Sequence, residues 1–113
     1  MFHMPGPPDL PTAYPLRELF DAAVRGRSVK LTCPRCRRAA ILSSHALWWL
    51  FQRKGWAARF SDVRRRCFCI MCLHRTGEKV RAAELELVDD APTDTSLPMP
   101  SEMDWKRELR RRR

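Results

Sequence analysis

Two Cys-x-x-Cys pairs separated by 32 residues, a strand-like alternation ahead of the first, and an apolar segment of helical period between them predict a small α+β metal-binding domain. The chain has 113 residues, enough for one domain with tails. Its composition divides it into a proline-rich N-terminal tail at residues 1–13, a domain at residues 14–88, and an acidic linker with a basic C-terminal tail at residues 89–113. A domain of that length buries little apolar surface, and a bound metal often supplies what the core lacks.

Helical spacing begins after Pro15. Leu16, Leu19, Phe20, Ala23 and Val24 recur at three and four residues, with Gly26 placed to end the helix. The alternation of SVKLT, residues 28–32, predicts a short strand that delivers the chain into Cys33, and residues 40–42 predict a second strand leaving the first pair. Ser43 or Ser44 then caps a helix through HALWWLFQRK that ends near Gly55. Around Phe60, Ser61 and Asp62 the pattern supports one helical turn with Ser61 as N-cap, passing into a strand at residues 66–68. After the second pair, Leu85 and Leu87 alternate with Glu84 and Glu86, as in a half-buried strand, although Ala82 and Ala83 also permit a helix. Acids, prolines, serines and threonines over residues 89–103 mark a linker. Beyond it, Ser101 can cap a short helix with Trp105 and Leu109 on a narrow apolar face, but four terminal arginines repel one another and oppose order, so this tail is expected to be mobile until it meets a partner.

The pairs are Cys33-Pro-Arg-Cys36 and Cys69-Ile-Met-Cys72. A tight turn between two cysteines aims both sulfurs to one side, and two such turns facing each other make a tetrahedral thiolate site. Strand into turn at each pair is the arrangement of a zinc ribbon. The expected fold is therefore a zinc-ribbon-like β core with a helical insertion and a preceding N-terminal helix, and the expected cofactor is one structural zinc (Zn) on Cys33, Cys36, Cys69 and Cys72. An iron–sulfur or other redox centre, or unrelated cysteines, are the competing readings. Four-thiolate ligation leaves no open position for a substrate water. Cys67 stands outside the two pairs and reads as a small buried apolar residue, and His74 as a neighbour of the site sooner than a ligand.

The arrangement PLRELFDAAVRGRSVKLTCPRC, a helical insertion and FSDVRRRCFCIMC resembles a group of small, mostly uncharacterised alphaproteobacterial zinc-ribbon-like proteins with two such knuckles. The resemblance spans residues 15 to about 88 and implies the same four cysteine ligands. It implies no activity. Members often have glycine after the last cysteine, where this chain has Leu73.

Charge and aromatic content bear on function. The chain carries 22 Lys and Arg against 13 Asp and Glu, a formal +9, and residues 25–81 hold only two acids, Asp62 and Glu78. Arg35, Arg37 and Arg38 flank the first pair, Arg53, Lys54 and Arg59 lie around the end of the central helix, and Arg64, Arg65 and Arg66 precede the second pair. These nine residues compose a candidate arginine-rich face for DNA or RNA, since guanidinium suits phosphate and such binding is salt-sensitive. The alternative is a protein–protein adaptor or oligomerisation module using the aromatic helix or the C-terminal tail, with Trp48, Trp49, Trp56 and Trp105 as candidate contacts. No combination of Ser, His and Asp supplies a nucleophile and base, so a non-enzymatic role is expected. There is no secretory pattern at the N-terminus and the longest apolar run is far below the roughly 20 residues that cross a bilayer, so no membrane partner and a cytoplasmic, reducing location are expected.

Overall fold

The computed structural model describes residues 16–81 and 84–112. Its elements run α1 (Leu19–Val24), β1 (Ser28–Thr32), β2 (Ala39–Ser43), α2 (Ser44–Lys54), α3 (Phe60–Arg66), α4 (Ile70–Thr76), β3 (Glu84–Val88) and α5 (Glu102–Arg111). The predicted tail at residues 1–13 lies outside the described residues.

The sheet is three-stranded, wholly antiparallel and ordered β2-β1-β3. Its register follows from apolar alternation. Val29 stands opposite Leu42 on one side and Leu87 on the other, and Leu31 stands opposite Ala40 and Leu85. One face of the sheet is thereby apolar, and a slip of one residue on any strand would turn that set to solvent. The open sheet does not curl into the β core expected of a zinc ribbon.

Helices α1, α2 and α3 cover the apolar face. Leu19, Phe20, Val29, Leu31, Leu42, Leu47, Trp48, Phe51 and Val63 form the buried core. Ser43 caps α2 by accepting a hydrogen bond from the Ala46 N–H at 3.3 Å, and Gly55 closes it in the left-handed conformation, as the sequence predicts. Ser44 is buried and donates its hydroxyl to the Arg27 carbonyl, tying the start of α2 to the turn after α1.

Three elements differ from expectation. Helix α1 starts at Leu19, not Leu16, because the Asp21 carboxylate accepts from the Arg17 and Glu18 N–H groups at 3.0 and 3.2 Å, while Leu19 and Phe60 exchange backbone bonds with Ala58 and Arg17. Helix α3 begins one residue before the predicted cap, with the Asp62 carboxylate accepting from the Arg59 N–H at 3.2 Å. No strand follows it at residues 66–68. The chain makes a single bridge between Phe68 and Arg81 and then enters α4.

Residues 89–101 do not hang free of the domain. Thr93 and Asp94 donate backbone N–H groups to the Ile41 carbonyl at 2.8 and 3.1 Å, and the Thr93 hydroxyl accepts from the Ile41 N–H at 2.9 Å. The segment so guided ends in α5, capped by Ser101 as predicted. Where a mobile tail is expected, α5 packs on α1 and α2. Trp105 meets His45 at 4.5 Å and Phe20 and Trp48 at 5.3 Å between ring centroids. Charge repulsion among the last arginines is countered by Glu108, only 5% exposed, which pairs with Arg111 at 2.5 Å and also with Arg112. Arg112 reaches Glu18 at 3.2 Å and lies 4.0 Å over the Phe20 ring. The guanidiniums that oppose order in an isolated helix find two carboxylates and an aromatic face in the fold.

Candidate metal centre

The first cysteine pair occupies the turn between β1 and β2. Cys33 follows the last residue of β1 and Pro34 sets the turn. The Arg37 N–H returns to the Cys33 carbonyl at 3.0 Å and the Cys33 N–H to the Arg38 carbonyl at 2.8 Å. Reversal in so few residues requires one left-handed residue, and Arg37 takes it with φ 64°.

The second pair is built differently. Cys69 is the N-cap of α4 and Cys72 lies in its first turn, so one helical turn brings the two sulfurs to the same side. The Cys69 N–H is held by the Val80 carbonyl at 3.0 Å, and Gly77, with φ 74°, ends the helix. The sequence-based turn at this pair is thus replaced by a helix. Leu73 explains the departure noted above: a glycine there suits a turn, whereas leucine propagates a helix. The signal that identified α4 was available in Gly77, the C-cap after a run with basic residues in its last turn.

Despite the difference in backbone, the sulfurs converge. Cys33 Sγ is 3.7 Å from Cys72 Sγ, Cys36 Sγ is 3.6 Å from Cys69 Sγ, and the four ligand atoms lie within 4.8 Å of one another. A disulfide needs about 2.05 Å between sulfurs. Tetrahedral ligation with metal–sulfur bonds of about 2.3 Å places sulfurs about 3.8 Å apart. The cluster is sized for a metal ion.

The two buried thiols are shifted in opposite directions. Hydrogen bonding from the Cys36 backbone holds the Cys33 thiol well below its ordinary value, at about 6, against the effect of burial. Burial first, then the neighbouring cysteines, push Cys72 up to about 12. A bound cation would favour the thiolate form of cysteines gathered in this way. Cys33 and Cys72 are buried, while Cys36 and Cys69 are half-buried. Among the described residues the group consists of these four alone. Cys67 is half-buried outside it, its thiol pushed up by burial, and His74 is exposed and takes no place in it.

The basic residues read as a nucleic-acid face are divided among the first turn, the end of α2 and α3. Arg35 meets Glu78 at 3.6 Å and Arg37 meets Glu84 at 3.9 Å. Arg65 pairs with the buried Asp62. Arg53 lies over Trp49 at 5.6 Å, and Lys54 and Arg66 lie over Trp56 at 5.9 and 4.1 Å. These contacts lend no support to a continuous arginine-rich face.

Trp48, Trp49 and Trp105 form an aromatic cluster with Phe20 and His45, and Trp56 packs edge-on against Phe51. Trp48 is 2% exposed and no partner can reach it. Trp105 is engaged by α1 and α2, and the half-buried Trp49 and Trp56 pack against the core beneath their cations. The large apolar side chains that do face solvent include Ile70, 55% exposed, and Met71, 40% exposed. They are the two residues between Cys69 and Cys72 and were not among the sequence-based contact candidates. Among the described residues no helix is long and apolar enough to cross a membrane.

No protein-family model, curated protein or solved structure matches the chain. The four-cysteine cluster accords with a zinc-ribbon-like site, and none of these comparisons supports the resemblance to alphaproteobacterial proteins.

Proposed function

We propose that this chain is a non-enzymatic protein–protein adaptor whose fold is clamped by one zinc ion on Cys33, Cys36, Cys69 and Cys72. Zinc suits a closed set of four thiolates, contributes folding free energy directly, and in that geometry has no site for substrate. The observation that carries the adaptor reading is the position of the exposed apolar residues. Ile70 and Met71 are presented to solvent by the helix that carries two of the ligands, while many of the candidate phosphate-binding cations are occupied by the chain's own acids and indoles. Those cations stay exposed, so the feature that separates the two readings is the exposed apolar pair, which a phosphate backbone does not call for and a protein partner buries.

Metal analysis of the purified chain should return one zinc. Photo-crosslinking residues placed at Met71 and Met103, both exposed, should yield protein adducts in cells at one or both positions. Nucleic-acid adducts at both, together with tight, salt-sensitive binding of duplex DNA, single-stranded DNA or RNA in titrations, would replace the adaptor reading with the nucleic-acid one.

A further inference from the structure

A groove of about 420 Å³ opens beside the cysteine cluster, a volume in the range of small ligand sites. Its walls are apolar, with Leu31, Leu42 and Leu50 from the core side and Phe68, Ile70 and Met71 from the segment around the second cysteine pair. Three features specify what fits there.

The first is the sheet edge. Strand β2 is an outer strand, and Ile41 turns its N–H and carbonyl away from β1 toward Thr93 and Asp94. Alternation along an antiparallel ladder turns the N–H and carbonyl of Ala39 outward as well. Ala39 is exposed and lines the groove. The edge already used at Ile41 by the chain's own residues therefore continues, open, at the groove.

The second is charge. Arg38 lines the groove and Lys79 sits 5.0 Å over the Phe68 ring in its wall. The lining acid, Asp94, is turned into its own loop, where its carboxylate accepts from the Ser96 N–H and hydroxyl at 2.9 and 2.7 Å. A basic rim around an apolar floor favours an occupant with acidic flanks. It disfavours a second copy of this chain, whose formal charge is +9. The third is adaptability, since methionine reshapes to fit varied side chains.

We propose that this groove docks an extended segment of another protein, which adds to the sheet edge at Ala39, fills the groove with apolar side chains, and sets acidic residues against Arg38 and Lys79. Main-chain pairing gives such a complex its affinity and the pocket gives it selectivity. The proposal rests on the adaptor reading and names the surface and the class of partner that reading requires.

The test is fluorescence anisotropy with the full, zinc-loaded chain and a labelled short peptide having a Leu-Val-Leu centre and Asp-Glu flanks. Saturable binding is expected. Substitution of Met71→Glu, at an exposed position, should weaken it at least tenfold with zinc content unchanged, as should Arg38→Glu combined with Lys79→Glu. A peptide with Lys in place of its acids should bind at least tenfold more weakly, and methylating alternate backbone nitrogens of the peptide, which leaves the protein untouched, should abolish binding in one of the two registers. No binding by the unmodified chain, or equal binding by the Met71→Glu chain, overturns the groove. If the groove falls while a crosslinker at Met103 still captures protein in cells, the adaptor reading stands on another surface; if neither position captures protein, both fall together.

Discussion

The two cysteine pairs have the same spacing and meet at the same point, yet their backbones have little in common. The first is a hairpin turn between two paired strands. Its geometry is backed by the β1–β2 register and by the exchange of bonds among Cys33, Arg37 and Arg38. The second begins a seven-residue helix that follows another seven-residue helix. Helices so short are unstable alone in water, because the nucleation cost is spread over few hydrogen bonds. The hairpin therefore has the sheet to hold it, whereas α4, short in itself, should depend on an ion held by Cys69 and Cys72 if the zinc reading is right. The Cys-x-x-Cys spacing brings two sulfurs to one side but leaves open whether a turn or a helix does so.

The largest test of this difference is removal of the metal. Chelation, or Cys69→Ser, should release zinc and melt α4, with amide protection lost over residues 69–77 first and retained longer over β1 and β2. Cys67→Ser should keep its zinc, since its sulfur is outside the cluster. Hydrogen exchange with metal analysis reads both. Simultaneous loss of protection in the hairpin and in α4 would break the comparison.

A smaller effect distinguishes turn from helix at the second pair. Leu73→Gly places in this chain the glycine common after a knuckle. In a turn it would be neutral or favourable. Inside α4 it should cost about 1 kcal/mol for the helix and further for the half-buried side chain removed, read as a lowered denaturation midpoint.

Acid provides a control distant from both pairs. Burial holds His45, packed on Trp105, below its ordinary value. A group whose folded-state value is depressed lends stability that is complete above its unfolded value, about 6.5, and is lost as pH falls through the folded one. Glu108 follows the same sign lower on the scale: burial pushes it up, but Arg111 and Arg112 outweigh this and leave it below the ordinary carboxylate value. Docking of α5 should therefore weaken in two stages, the first beginning below about pH 6.5 and the second beginning below the ordinary carboxylate value and completing as pH falls through the lower folded value of Glu108. Trp105 exposure, followed by fluorescence quenching, should track these stages in the His45→Gln and Glu108→Gln chains by losing the first and the second respectively.

The smallest expected effect lies in the hairpin. Arg37→Gly relieves a left-handed residue that costs about 1–2 kcal/mol in an L-amino acid, but adds backbone freedom to the unfolded chain worth about 0.5–1 kcal/mol and removes the exposed contact with Glu84. The net change should be within about 1 kcal/mol and toward greater stability, with zinc retained. Opposite signs for glycine at residues 37 and 73 are the sharpest statement of how the two pairs differ.

Local signals were sufficient wherever the physics is local. SVKLT alternates with period two and is β1, Ser43 and Gly55 bound α2 as their capping chemistry requires, and the paired spacing of Cys33, Cys36, Cys69 and Cys72 marks four sulfurs that converge. Ser101 likewise starts α5. Other features depend on residues far apart in the chain. The start of α1 depends on bonds to Ala58 and Phe60, and the course of residues 89–101 on Ile41. The order of α5 rests on Phe20, Trp48 and Glu18, all remote in sequence. Of the indoles that looked available to a partner, Trp48 became interior and the other three half-buried, and most of the arginines that looked available to phosphate stayed exposed but met carboxylates and rings, because charge and aromaticity are written in composition while contacts exist only once the chain is packed. For the same reason Ile70 and Met71, two letters between cysteines, emerged as exposed apolar surface: a helix places side chains on opposite sides, and with the Cys69 and Cys72 sulfurs turned into the cluster the residues between them face solvent.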